Sequence, residues 1–197
     1  MKIDCLPLGQ YEENCYILHE NGHVLVIDPG CKGKEAIKAC QGDTIDAILL
    51  THGHSDHTVG VDEIVDQVHC PVYISDDDMQ LISNNPHNLN LFGSVLYCQL
   101  EPLKIGSNDI GNFNVKVLAT PGHTEGSVCI QYKNVLFTGD TLFAGDIGRT
   151  DLFSGSEAQM SESLEYLTKL PSDLIIYPGH GPSSTMAQEK ISNPYLR

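Results

Sequence analysis

Arginine is nearly missing from this chain: among 197 residues it occurs twice, as Arg149 and Arg197. Lysine and arginine together number 11 against 26 aspartates and glutamates, a formal net charge of −15. Phosphate backbones are held by a basic footprint, so nucleic acid is not expected as a partner. No apolar run approaches the roughly 20 residues of a bilayer-spanning helix, so no membrane anchorage is expected. The opening stretch Met1-Lys2-Ile3-Asp4-Cys5 has no apolar segment of the kind a secretory signal carries. A C-x-x-C pair is also lacking. The seven cysteines are odd in number, and Cys15 and Cys129 lie in apolar, strand-like runs where a free thiol behaves as a small hydrophobe. Reduced thiols and a cytoplasmic location are therefore expected, not a disulfide framework. What is present is a globular composition, 41% hydrophobic, long enough for one domain over residues 1–197.

Apolar periodicity predicts alternating strands and helices. Residues 2–8, 14–19, 24–27, 47–50, 72–74, 115–118, 128–130, 135–137 and 174–177 read as strands. Asn21-Gly22 between two apolar runs is a hairpin turn signal. Helices are expected over 34–40, along Val61, Ile64, Val65 and Val68, after Ser156 with Gln159 at the capping-box position, and after Thr185. The run Asp76-Asp77-Asp78 reads as acidic residues favoured at a helix start. Residues 83–93 read as a loop. The alternation makes the class α/β, in layers.

The densest chemistry lies in Thr51-His52-Gly53-His54-Ser55-Asp56-His57. Neutral imidazoles and a carboxylate are the nitrogen and oxygen donors that zinc and iron accept. Four donors so close together are too many for one tetrahedral ion and suit two ions side by side. Three further strands end near candidate ligands: Leu118 leads to His123, Phe137 to Asp140 and Tyr177 to His180. Ligands gather beyond the carboxyl ends of strands in open α/β sheets, which makes the four segments one metal centre.

The segments HGHSDH, TPGHTEGS, FTGDTLFAGDIGRTDL and YPGHG, in this order, resemble the metallo-β-lactamase-fold hydrolases. The likeness runs from Asp28-Pro29-Gly30 to Asn193-Pro194-Tyr195. Asn14-Cys15-Tyr16 and Gly148-Arg149-Thr150-Asp151-Leu152 look like the short, single-domain hydroxyacylglutathione hydrolase (glyoxalase II)-like branch. The resemblance implies a four-layer αβ/βα sandwich of two similar halves, with two divalent metal ions at one edge, zinc foremost and iron or manganese as alternatives. His52, His54 and His123 would hold the first ion, Asp56, His57 and His180 the second, and Asp140 would bridge both. Asp28 would support the ligand loops by hydrogen bonds. The implied activity is hydrolysis of a small-molecule thioester, of the hydroxyacylglutathione type, by a metal-bridging hydroxide, with Asp56 also steering its proton.

Other activities share the fold. Asp140 argues against β-lactam cleavage and His54 against the flavodiiron branch, while acidity argues against the nucleases. A mononuclear iron dioxygenase acting on glutathione persulfide would need only His52, His123 and Asp140, and lactone hydrolysis would use the same nucleophile. No counterpart of the C-terminal helical domain of glyoxalase II follows His180, so the thiol half of the substrate is left open. Arg149 either pairs with a substrate carboxylate or forms an internal ion pair with Asp146 or Asp151. His87, in a loop that could cover the site, reads as a surface histidine, as do His19, His23 and His69.

Overall fold

The structure, a computed structural model, describes residues 1–82 and 96–196; the loop expected over 83–93, with His87, lies outside them. Two six-stranded sheets dominate. The first runs β1 (Lys2–Leu8), β2 (Glu13–Glu20), β3 (His23–Ile27), β4 (Thr44–Leu49), β5 (Val72–Ile74) and β6 (Leu100–Pro102), in chain order. The second holds β7 (Gly106–Ile110), β8 (Phe113–Ala119), β9 (Val128–Tyr132), β10 (Val135–Gly139), β13 (Ile175–Pro178) and β14 (Ser184–Thr185), with β13 inserted between β10 and β14. A small hairpin, β11 (Leu142–Phe143) with β12 (Asp146–Ile147), projects after β10. Asn21 and Gly22 both take positive φ, 53° and 82°, which is the twist a two-residue hairpin between β2 and β3 requires.

Alternation along the strands assigns each side chain to a layer. Leu18, Leu25, Ile27 and Leu49 face across to Val117, Ile130, Val135 and Phe137, filling the space between the sheets. The residues between them on the same strands, Ile17, Val24, Val26 and Ile48, turn outward and pack with Ala36 of α1 (Gly33–Ala39) and Ile64 of α3 (Val61–Val68). On the far side, Leu118, Leu136 and Ile176 pack under Met160, Leu164 and Leu167 of α5 (Glu157–Thr168) and Met186 of α6 (Met186–Ser192). The layers are therefore helix, sheet, sheet, helix, the four-layer mixed α/β sandwich expected. Strands buried on both faces explain why the apolar runs are nearly continuous and not alternating.

Ser156 caps α5: its hydroxyl accepts from the Gln159 amide at 3.3 Å. Replacing Ser156 with Ala is expected to cost about 1 kcal/mol of stability. Urea unfolding measures it, and an unchanged midpoint would show that the cap contributes nothing.

Candidate metal centre

The parallel ladders β3–β4 and β10–β13 bring four carboxyl strand ends to one edge. β8 runs parallel to β10 because each is antiparallel to β9. Asp28 follows β3, the Thr51–His57 segment follows β4, His123 follows β8, Asp140 follows β10 and His180 follows β13. All the ligands expected from the sequence therefore meet at this edge. Ligand atoms of His52, His54 and His123 lie within 4.8 Å of one another, and so do those of Asp56, His57 and His180. Asp140 stands between the two trios. Its Oδ1 is 3.4 Å from His57 Nε2, and its Oδ2 is 3.5 Å from His123 Nε2 and 3.6 Å from His180 Nε2.

The rings are aimed by their other nitrogens. Nδ1 donates from His123 to the Arg149 carbonyl at 2.7 Å, from His180 to the Tyr11 carbonyl at 3.1 Å and from His57 to Asp28 Oδ2 at 3.1 Å. The Thr51 hydroxyl gives its proton to Asp28 Oδ2, so His52 Nδ1, 3.1 Å away, donates to it. These four rings thus turn Nε2 inward, whereas His54 presents Nδ1, 2.8 Å from His123 Nε2. Such bonds to the remote nitrogen are how proteins orient metal-binding imidazoles.

The donor set fits divalent cations. Among the described residues, His52 Nε2, His57 Nε2 and Asp140 Oδ1 are buried without a hydrogen bond. Orphaned atoms of this kind cost about 1–3 kcal/mol each unless something binds them. Burial, then the neighbouring imidazoles, holds His52 well below the usual histidine range and His54 at about 4, so both rings stay neutral donors. Burial opposes charge on Asp140, but His57, His123 and His180 pull it below the usual carboxylate range. Burial likewise opposes charge on His57, which Asp140, Asp28 and Asp56 raise nonetheless. A cation among these carboxylates would take over that compensation and free the His57 ring nitrogen. Asp28 also falls within ligand range of His52 and His57. Its oxygens, however, already accept from Thr51 N at 2.8 Å, from the Thr51 hydroxyl at 2.6 Å and from His57, the bonding expected of a residue that supports the ligand loops.

Two motifs acquire local reasons. Asn14 Nδ2 donates to the Pro178 and Gly181 carbonyls at 3.0 and 2.8 Å, and Tyr16 Oη to Pro178 O at 2.7 Å, so β2 grips the loop that carries His180. Arg149 serves His123 through its carbonyl, while its guanidinium pairs with Asp151 at 2.7 and 2.8 Å on the exposed side. The metal edge opens into a cleft of about 400 Å³ walled by Tyr11, Phe143, Ile147, Arg149 and Leu152.

Three acidic or imidazole groups depart from the sequence reading or escaped it. His19 is not a surface residue: it is buried between Asp4 and Asp43, 3.2 and 2.9 Å away. Glu13 is buried beside His57 with neither carboxyl oxygen hydrogen-bonded among the described residues, and burial pushes it well above the usual carboxylate range. Asp78 is not merely a helix-start acid. It is fully buried and bonded to both histidine loops.

The family model for the metallo-beta-lactamase superfamily matches residues 8–180. The probable metallo-hydrolase YqgX of Bacillus subtilis is 34% identical over 207 residues, covering 100% of this chain and 98% of its own. The hydroxyacylglutathione hydrolase GloC of Haemophilus influenzae is 32% identical over 208 residues, covering 100% and 98%. Among solved structures, the BLEG-1 B3 metallo-beta-lactamase superposes with a TM-score of 0.93 at 34% identity, covering 99% of both chains. TTHA1623 in a di-iron-bound form gives 0.89 at 32%, covering 98% of this chain and 100% of that one.

Proposed function

We propose that this chain, which belongs to the metallo-beta-lactamase superfamily, uses its metallo-hydrolase fold to cleave small-molecule thioesters of the hydroxyacylglutathione type with two divalent metal ions. One observation carries the two-ion reading. The Asp140 carboxylate turns one oxygen toward His57 and the other toward His123 and His180, so a single side chain faces both donor trios. His52, His54 and His123 would hold one ion, Asp56, His57 and His180 the other. Zinc is the proposed metal, with iron or manganese equally compatible with such donors, and a relative of known structure carries two irons. When bound, the ions supply a deprotonated water at neutral pH and polarise the scissile carbonyl.

The chain's own residues do the rest. The Nδ1 bonds hold the imidazoles in one orientation. Phe143, Ile147 and Leu152 line the cleft with apolar surface and limit water on that side. Asp56 borders the same cleft, 3.5 Å from His180 Nε2, where its carboxylate can accept the proton lost by the attacking water. A thiolate leaves without a dedicated general acid, since a free thiol ionises near pH 8.5. The 32% identity to a hydroxyacylglutathione hydrolase over the full chain supports the thioester class. Among the described residues no helix is long and apolar enough to cross a membrane, and a cytoplasmic enzyme is proposed.

A second reading, β-lactam cleavage, has the BLEG-1 likeness in its favour, against the sequence argument from Asp140. Metal-loaded protein should therefore be assayed without oxygen on a lactoylglutathione-type thioester, a lactone and a chromogenic β-lactam, with oxygen uptake on glutathione persulfide measured alongside. Thioester cleavage that persists anaerobically, with no persulfide-dependent uptake, is the expected result. Rapid uptake by iron-loaded protein with negligible thioester cleavage would replace the hydrolase with the dioxygenase, and preferred β-lactam turnover would replace the substrate class.

A further inference from the structure

We infer that Asp78 is a positioning residue that sets the spacing between the His52–His54 loop and the His123 loop, and with it the affinity of the metal site those three histidines form. This rests on the metal-dependent reading above. Asp78 is the third residue of α4 (Asp76–Ile82), and it is fully buried, whereas its helix neighbours Asp76 and Asp77 are exposed. Its Oδ2 accepts the Gly53 amide at 2.8 Å and the Thr124 hydroxyl at 2.7 Å, and its Oδ1 accepts the Gly126 amide at 2.8 Å. Gly53 lies between His52 and His54. Thr124 directly follows His123. One carboxylate therefore joins two loops that extend from different sheets, β4 of the first and β8 of the second.

The approach depends on two missing side chains. A Cβ on Gly126 would meet Asp78 Oδ1 and Cγ at 2.6 Å, and one on Gly53 would meet Leu81 Cβ at 2.9 Å and the Asp78 carbonyl at 3.1 Å. Both glycines belong to the metal-binding segments themselves, which gives them a reason beyond loop flexibility. The opposite flank of His52 is fixed in the same way, since Asp28 accepts from Thr51 N and from the Thr51 hydroxyl. With buried carboxylates at Thr51 and at Gly53, the backbone that presents His52 is held on both sides. Only a carboxylate serves all three donors of Asp78: an amide would turn its NH₂ toward one of them.

The test is a divalent-ion titration, with zinc and a chromophoric competitor, of wild-type protein, Asp78→Asn, Asp78→Ala and Thr124→Val. His123→Ala marks which binding step belongs to the histidine trio, and urea unfolding of each variant records stability. The trio's step should weaken about 10–100-fold in Asp78→Asn and Asp78→Ala, as expected for a lost supporting partner. The other step should stay near wild type, and Thr124→Val should weaken the trio's step less. Loss of stability with both affinities unchanged would overturn the inference. Should neither Asp78 variant fold, Thr124→Val decides, an unchanged trio step overturning it. A wild-type protein that binds no divalent ion would instead overturn the metal reading on which it stands.

Discussion

Asp140→Asn is expected to lower kcat for thioester cleavage by two to three orders of magnitude, on the order of 10²–10³-fold, with a much smaller change in KM. The substitution conserves shape and removes one charge. At this position the charge faces His57 Nε2 at 3.4 Å, His123 Nε2 at 3.5 Å and His180 Nε2 at 3.6 Å. An amide keeps one oxygen for these directions and places an NH₂, a donor, where the other oxygen stood. Under the two-ion reading each trio then loses its shared anionic partner, while the cleft walls that would meet the proposed substrate, Tyr11, Phe143, Ile147 and Leu152, are unchanged. The loss should therefore fall on turnover and on metal content together. Steady-state kinetics and elemental analysis of the same preparation check it. A variant that retains both ions and turns over at near-wild-type rates would remove Asp140 from the role assigned to it.

The parts of this centre that were legible in the sequence share one property: each is announced locally. His52, His54, Asp56 and His57 stand in one short segment, and His123, Asp140 and His180 each follow an apolar strand, so strand ends and donors are visible together. The strand over Lys2–Leu8 and the helix over Val61–Val68 were equally legible, because their periodicity is carried by their own residues. What escaped depends on distant partners. Asp78 bonds residues 25 to 48 positions away, and nothing in Asp76-Asp77-Asp78 distinguishes the buried member from its exposed neighbours. His19 is held by Asp4 and Asp43, on either side of it in the chain, with no local sign. The edge strand Gly106–Ile110, with the sequence GSNDI, is poor in strand-forming residues, and it exists because β8 pairs with it from Gly106↔Val117 to Ile110↔Phe113. The Asn14-Cys15-Tyr16 motif was visible as a family likeness, but its work, holding the His180 loop through Asn14 and Tyr16, appears only when β2 and β13 are seen together.

Stripping divalent ions with a chelator is expected to lower the unfolding free energy by about 4 kcal/mol for each site otherwise held at a thousand times its dissociation constant. The source of that energy is visible in the fold. Asp28, Asp56 and Asp140 lie close enough to buried Glu13 to push its carboxyl further up, in a chain already carrying a net charge of −15. Buried donor atoms without hydrogen bonds, His52 Nε2, His57 Nε2 and Asp140 Oδ1, add to the cost of the ion-free state. None of these atoms is confined in this way once the chain unfolds, so ions bind the folded state in preference and stabilise it. With a urea slope of about 2 kcal/mol per molar, a loss of about 4 kcal/mol moves the midpoint by roughly 2 M. Readdition of zinc or manganese should restore the midpoint in wild-type protein, and restore it less completely in Asp140→Asn, where one charge between the trios is gone. Equal midpoints with chelator and with excess metal would show that the convergent donors bind no ion tightly, and the two-ion reading would fall with them.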